Sequence, residues 1–331
     1  MADAAGPGTG PTPRFPVPAM PAPPVGVVGL GQLGGSLAAA LVAAGRPVAG
    51  WDVDPAARDA AAARGVRITR ELSGVVVLAV PLPLMATALD GLDVDPDATV
   101  TDLGSVKRPV LEQLGRALGS RYVGGHPMCG TERSGHAAVD AGLFTGARWA
   151  LCLEPGTELP RWLRVAEVAL AAGAEVVPVT AAEHDDAVAA VSHVPHLLAA
   201  ALAAAAGRAG PLALALAAGS FRDGTRVIGS DPAFVRAMVD GNAGPTAAAL
   251  ARVQEQLARP WAELVADGHA VATRPRGRRA VRVPLDRAAL LALGRAGGAV
   301  TRRLAAFVEG RLPDDGLPDD AVPDGGVPGP A

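Results

Sequence analysis

Up to about residue 180, short apolar runs alternate with segments whose apolar residues recur at helical spacing. The runs fall at 25–29, 48–51, 75–80, 100–102, 122–123, 149–153 and 176–179, and the helical patterns at 33–44, 55–64 and 159–172. This alternation predicts a mostly parallel, doubly wound α/β sheet. After about Thr180 the strand signals stop. Ala/Leu patterns follow at 182–208, 211–218, 232–266 with interruptions, and 285–309. They predict an all-α second domain with more apolar face than a small domain buries, which points to a helical homodimer interface. The Pro/Ala/Gly start (1–23) and the Pro/Asp/Gly end (311–331) have no periodicity and predict a disordered arm and tail.

The first strand runs into Gly29-Leu-Gly31-Gln-Leu-Gly34 and then an Ala/Leu helix, and Asp52 closes the next apolar run. Strand, G-x-G-x-x-G, helix and acid in that order predict a Rossmann-type dinucleotide site over 24–180. Gly29 permits the turn, Gly31 a close approach by the pyrophosphate, and Gly34 close helix packing. The helix N-terminus offers N–H groups and a positive dipole end. Asp52 suits a ribose 2′-hydroxyl. No arginine immediately follows it to hold a 2′-phosphate, so NAD is expected rather than NADP. Gln32, Leu33, Val80 and Pro81 join Gly29, Gly31, Gly34 and Asp52 as expected cofactor contacts. Pro81 follows a strand end, where it would stiffen the loop along the cofactor or simply end the strand.

Composition narrows the classes. Half of the 331 residues are hydrophobic and only 3% aromatic, so Ala, Val and Leu must build the core. A net charge of −3 gives no reason to expect nucleic acid. No run of about 20 apolar residues is free of charge or helical punctuation, so no membrane span is expected. Two cysteines, Cys129 and Cys152, are too few for a disulfide framework; with no secretory leader read at the start, a cytoplasmic setting is expected. Lys107 is the sole lysine, in a chain where arginine fills every other basic position.

Candidate chemistry gathers at strand ends. Thr101-Asp102-Leu-Gly104-Ser105-Val-Lys107 places Ser105 at a helix start, facing the cleft or capping the helix. Gly124-Gly125-His126-Pro127 and the residues to Gly135 surround His126 with glycine and polar groups. An imidazole there suits proton transfer from a hydroxyl at neutral pH. Ser192, His193 and His196 lie early in the first long helix. The two histidines are three apart and share a face, but no H-E-x-x-H or suitably spaced carboxylate accompanies them, so no metal site is expected. Arg222 and Arg226 lie four apart in a polar stretch among apolar helices, as a clamp for a dianion or a salt-bridged face with Asp223.

These segments together resemble the prephenate dehydrogenase family of tyrosine biosynthesis. The matching pieces are GLGQLGGS, TDLGSVK, GGHPMCGTERSG, SHVPHLLAAAL and GSFRDGTRV, in the family's order over about 25–245. The resemblance implies a Rossmann-type N-terminal domain, a helical dimerisation domain over 181–310, and NAD(P)-dependent oxidative decarboxylation of prephenate to 4-hydroxyphenylpyruvate. It implies that His126 accepts the proton of the 4-hydroxyl and Ser105 orients it. Arg226 would hold a substrate carboxylate, His196 and Ser192 would lie at the substrate, and Glu132 would gate entry. The role of Lys107 stays open. No chorismate mutase segment is read before residue 25, and the end is too short for a regulatory ACT domain. Arogenate in place of prephenate is the near alternative, and an inactive NAD-binding sensor dimer the distant one. A 3-hydroxyacid dehydrogenase would want a lysine in the helical half, which has none. Cys129 reads as an inert thiol or an oxidation-sensitive one beside the His126 loop.

Overall fold

The computed structural model describes residues 23–130, 135–274 and 277–314. The chain opens with β1 (Val25–Val28), α1 (Gln32–Ala43), β2 (Val48–Trp51), α2 (Pro55–Ala62) and β3 (Arg67–Ile68). Two short strands, β4 (Glu71–Leu72) and β6 (Asp93–Val94), pair with each other on either side in sequence of β5 (Val75–Leu78). Next come β7 (Thr99–Asp102), α3 (Arg108–Leu118) and β8 (Tyr122–Val123). The first sheet has the order β3-β2-β1-β5-β7-β8, with every pair parallel. β1 (VGVV), β5 (VVVL) and β7 (TVTD) are buried along their whole length, as central strands of a doubly covered sheet are. The order reverses between β1 and β5, which puts a ligand crevice at their carboxyl ends.

At Gly124 the chain leaves this sheet and enters a second one as β9 (Gly125–Pro127). A Cβ on Gly125 would lie 2.7 Å from the Asp102 backbone oxygen, so the crossing needs glycine. β10 (Arg148–Cys152), α4 (Leu159–Ala171) and β11 (Glu175–Val179) follow. α4 packs against strands of both sheets, and its Trp162 is fully buried in the core they share.

The helical part runs through α5 (Ala181–Val188), a π-helical turn (Ala189–His193), α6 (Val194–Arg208), α7 (Pro211–Ala215), α8 (Gly219–Thr225), α9 (Pro232–Gly241), α10 (Ala243–Leu257) and α11 (Trp261–Ala272). The continuous helix over 181–208 has a mean hydropathy of 1.6 in its most apolar stretch, enough by length and composition to cross a bilayer. Its first half carries Glu183, Asp185 and Asp186 and packs on the α/β part. The remaining 15 residues of α6 span only about 22 Å, short of a hydrocarbon core of about 30 Å.

Three expectations are corrected. The runs at 149–153 and 176–179 do not extend the parallel sheet. They form β10 and β11 of a mixed sheet ordered β12-β14-β13-β11-β10-β9, in which only β10 and β11 pair parallel. The helix expected over 285–309 is instead the end of a βαββ unit: β12 (Arg278–Pro284), α12 (Arg287–Arg295), β13 (Ala299–Arg303) and β14 (Phe307–Pro313). Helical spacing of Leu and Ala holds only to Arg295. Gly297 then turns the chain with φ +74°, and Gly298 sits where a Cβ would meet Leu293 at 2.4 Å. The helical part therefore ends at α11, and the tail expected from residue 311 gives up Arg311, Leu312 and Pro313 to β14.

Candidate active site

The glycine turn has the shape a pyrophosphate needs. Gly29 has φ +89°, and a Cβ on Gly34 would lie 1.9 Å from the Gly29 oxygen. Among the described residues nothing lies within 4 Å of where a Cβ on Gly31 would be, which leaves room there for a close approach. No side chain caps α1 and its first turn holds no acid, which leaves the positive helix end to a ligand. Asp52 is built into the turn itself: Leu30 N–H donates to Oδ2 at 2.5 Å and Asp54 N–H to Oδ1 at 2.8 Å. Although no arginine follows Asp52 directly, the fold brings two to Trp51 beside it. The guanidinium carbons of Arg58 and Arg70 lie 4.7 and 4.5 Å from its ring centroid. Val80 and Pro81 follow β5 at the crevice, partly buried and exposed in turn.

His126 sits on β9, opposite Ala150 of β10. Its Nδ1 lies 2.9 Å from Nε2 of His184, and Nδ1 of His184 lies 2.8 Å from Oδ1 of Asp185. The rings meet edge-on, with centroids 5.1 Å apart. A carboxylate only accepts, so His184 carries its proton on Nδ1 and accepts at Nε2. His126 then donates from Nδ1, which leaves its Nε2 lone pair available as a base.

The electrostatics agree with this assignment. Burial, then the neighbouring His184, Lys107 and His193, hold His126 well below its ordinary pKa, so it is neutral at pH 7. Burial likewise lowers His184 against the pull of Asp185. For Asp185, burial acts upward, but hydrogen bonds from His184 and from the backbone of Arg108 and Lys107 outweigh it and keep the carboxylate below its usual range.

Asp185 also joins the two halves of the molecule. Its oxygens accept from Lys107 N–H at 2.7 Å and Arg108 N–H at 2.8 Å, the leading groups of α3. Ser105 therefore does not cap α3: Lys107 holds the N-cap position, and the carboxylate from α5 does the capping. Ser105 remains half-buried in the turn at the carboxyl end of β7.

Lys107 is 1% exposed and paired with Asp102, and its Nζ also donates to the Gly125 oxygen at 2.6 Å. Asp102 further accepts from Gly104 N–H at 2.7 Å and Tyr122 O–H at 2.6 Å. This buried pair fixes the β7 turn against the residue preceding His126. Lys107→Met would leave Asp102 charged and uncompensated. The expected loss is about 3–5 kcal/mol in urea unfolding, the cost of breaking one side of a buried ion pair. A loss below 1 kcal/mol would mean the pair is hydrated.

The paired histidines of the long helix separate in the structure. His193 ends the π-turn fully buried, and burial lowers its pKa to about 4. Its Nδ1 lies 3.3 Å from Thr246 Oγ1 and 3.2 Å from Asn242 Nδ2, while Asn242 also donates to the Asp185 backbone oxygen at 2.7 Å. His196 is half-buried, with Nδ1 2.8 Å from the oxygen of Ser192. Arg226 follows α8, exposed, on a segment packed against α6. Glu132 lies outside the described residues. Among those described, no three His, Cys, Asp or Glu side chains gather as metal ligands. Burial raises both thiols, that of Cys129 to about 11, so both are protonated at neutral pH.

Sequence reasoning missed His184, Asp185 and Asn242. A usable signal was present: Thr180 and Glu183 form a capping box directly after β11, which puts His184-Asp185 in the first turns of a helix at a strand's carboxyl end.

The family model described as "Prephenate dehydrogenase, nucleotide-binding domain" matches residues 37–178, and that described as "Prephenate dehydrogenase, dimerization domain" matches 180–270. The chain belongs to the prephenate dehydrogenase family. It is 34% identical over 226 residues to prephenate dehydrogenase of Bacillus subtilis, 63% of this chain and 61% of that protein, so it spans about three-fifths of that relative's length. Among solved structures, prephenate dehydrogenase from Aquifex aeolicus in complex with hydroxyphenyl propionate and NAD+ superposes with a TM-score of 0.68 at 29% identity, covering 77% of this chain and 94% of that one. Synechocystis arogenate dehydrogenase gives 0.65 at 27%, covering 76% and 98%.

Proposed function

We propose that the chain is an NAD-dependent prephenate dehydrogenase converting prephenate to 4-hydroxyphenylpyruvate in tyrosine biosynthesis. The observation that carries the reading is the Asp185–His184–His126 relay, which presents an unprotonated ring nitrogen from a strand beside the ligand crevice. NAD+, when bound, supplies the hydride acceptor for the hydrogen on the ring carbon bearing the hydroxyl. His126 takes the hydroxyl proton as that carbon becomes electron-poor. The bond from the ring to its carboxylate breaks, CO2 leaves, and the bonding pair completes the aromatic ring. Charge gathers on His126 as it becomes imidazolium, and His184, backed by the Asp185 anion, stabilises it.

Ser105 orients the hydroxyl, while Arg226, His196, Ser192 and Glu132 hold the substrate's remaining polar groups or its entrance. Arg226→Ala is expected to raise KM about 10–150-fold with little change in kcat, the worth of one charge-assisted hydrogen bond. An unchanged KM removes Arg226 from the substrate. Likeness to both prephenate and arogenate dehydrogenases supports the ring chemistry, which the two substrates share. Formation of reduced nicotinamide, followed by absorbance with each substrate and with NAD or NADP, decides between them. No turnover with either substrate overturns the reading.

The helical part leaves Leu202, Leu212, Leu216, Phe234, Trp261 and Val271 exposed, Trp261 by 85%. With the match to a dimerisation domain, this supports a homodimer formed through the helices, to be read by light scattering. Two free thiols and no disulfide among the described residues support a reducing, cytoplasmic setting.

A further inference from the structure

The βαββ unit over 278–313 lies outside the residues that either family model matches. It is strongly basic: residues 278–314 carry eight arginines against Asp286, Glu309 and Asp314. Three guanidinium groups converge on one carboxylate where this unit meets β10 and β11. Glu175, at the start of β11, takes Arg278 Nη1 at 3.0 Å and Arg148 Nε at 3.2 Å on Oε2, and Arg311 Nη1 at 3.6 Å on Oε1. The side chains of Glu175 and Arg148 are only 13% and 23% exposed.

This cluster is not a balanced salt bridge. Three positive charges face one negative charge, which leaves an excess of two on a partly buried seat. Arg148 carries the strain: its Nη1 is buried with no hydrogen-bond partner. Burial lowers its pKa, Glu175 raises it, and Arg278 and Arg311 lower it again. A buried guanidinium N–H without an acceptor costs roughly 1–3 kcal/mol, more for a charged group. A second anion held by the more exposed Arg278 and Arg311 would cancel the repulsion.

We propose that Arg148, Arg278 and Arg311, gathered around Glu175, form a binding site for a small oxyanion, the carboxylate or phosphate group of a metabolite. Guanidinium forks match such groups in a bidentate way, and Glu175 holds the forks in place in its absence. The seat lies at the start of β10 and β11: Arg148 stands opposite Glu175 and two residues along β10 from Ala150, which pairs with His126.

The test titrates the full chain with inorganic phosphate and, separately, with malonate, at constant ionic strength and saturating NAD+. The thermal unfolding midpoint is followed. A saturable rise is expected with at least one anion; which anion gives it identifies the ligand class. Arg278 and Arg311 are both 40% or more exposed, so the double variant R278A/R311A should fold normally. In it the half-saturating concentration should rise at least tenfold, the loss of one or more charge-assisted hydrogen bonds. Glu175→Gln should lower it, since the competing carboxylate is gone. No saturation with either anion in the unsubstituted protein overturns the proposal. So does an unchanged half-saturation in the double variant, which would assign the anion to the glycine turn or the substrate cleft.

Discussion

Replacing His126 with Asn is expected to lower kcat by about 10²–10⁴-fold, the range for removing a general base. Asparagine can still accept a hydrogen bond from the hydroxyl but cannot take its proton, so substrate affinity should change far less than turnover. The pH profile is a second readout. Burial and the nearby positive groups hold the His126 pKa below 6.5, and the base works only when neutral. The acid limb of kcat/KM should therefore lie below pH 6.5, with activity falling as pH drops through the lowered value. In Lys107→Met a cation beside His126 is gone, so any folded enzyme should show that limb moved upward. His126→Asn should flatten it. Retention of activity within a few fold would take the proton-transfer role away from this residue.

How much the sequence disclosed depends on the range of each signal. The glycine turn was legible because strand, turn, helix and acid are neighbours in the chain and each glycine has a local steric cause. The helical part was legible as far as residue 266 from its Ala/Leu runs, and α11 carries it on to Ala272. The βαββ unit was not: β12, β13 and β14 are held by pairing with one another and with β11, more than a hundred residues away, while α12 carries the same Ala/Leu spacing as the helices before it. The site divides in the same way. His126 stood out in a glycine-rich loop. His184 and Asp185 looked like ordinary polar residues at a helix start, because what gives them a role is contact with β9 and α3 across 58 and 78 positions of sequence. The isolation of Lys107 in composition marked it correctly as unusual. Its partners, Asp102 and the Gly125 oxygen, become visible only once β7 and β9 are side by side. Asp52 was read as a ribose acceptor, yet the structure shows it also tying β2 to the glycine turn, so a change there acts on the turn as well as on cofactor choice.

Asp185→Asn should be nearly as damaging to turnover as losing the base itself, with kcat down by about 10²–10⁴-fold although the substituted atom never meets substrate. The aspartate receives three N–H groups: from His184 and Lys107 on Oδ1, and from Arg108 on Oδ2. An amide has one acceptor and one donor. If its oxygen faces His184, it keeps the Lys107 N–H, but its NH2 confronts the Arg108 N–H and half of the cap on α3 is lost. If it turns over, its NH2 forces His184 to accept at Nδ1 and donate from Nε2. His126 must then accept at Nδ1 and carry its proton on Nε2, pointing a hydrogen where a lone pair is needed. Either way the negative charge that supports the imidazolium is gone. The weakened cap should also cost about 1–2 kcal/mol of stability. Turnover and unfolding are therefore measured on the same preparation, with NAD+ affinity as the control for a folded cofactor site. A variant that binds NAD+ normally, unfolds within 2 kcal/mol of the parent and has lost at least a hundredfold in kcat places Asp185 behind the base. One that turns over within threefold of the parent shows that the tautomer of His126 is set by something other than this relay.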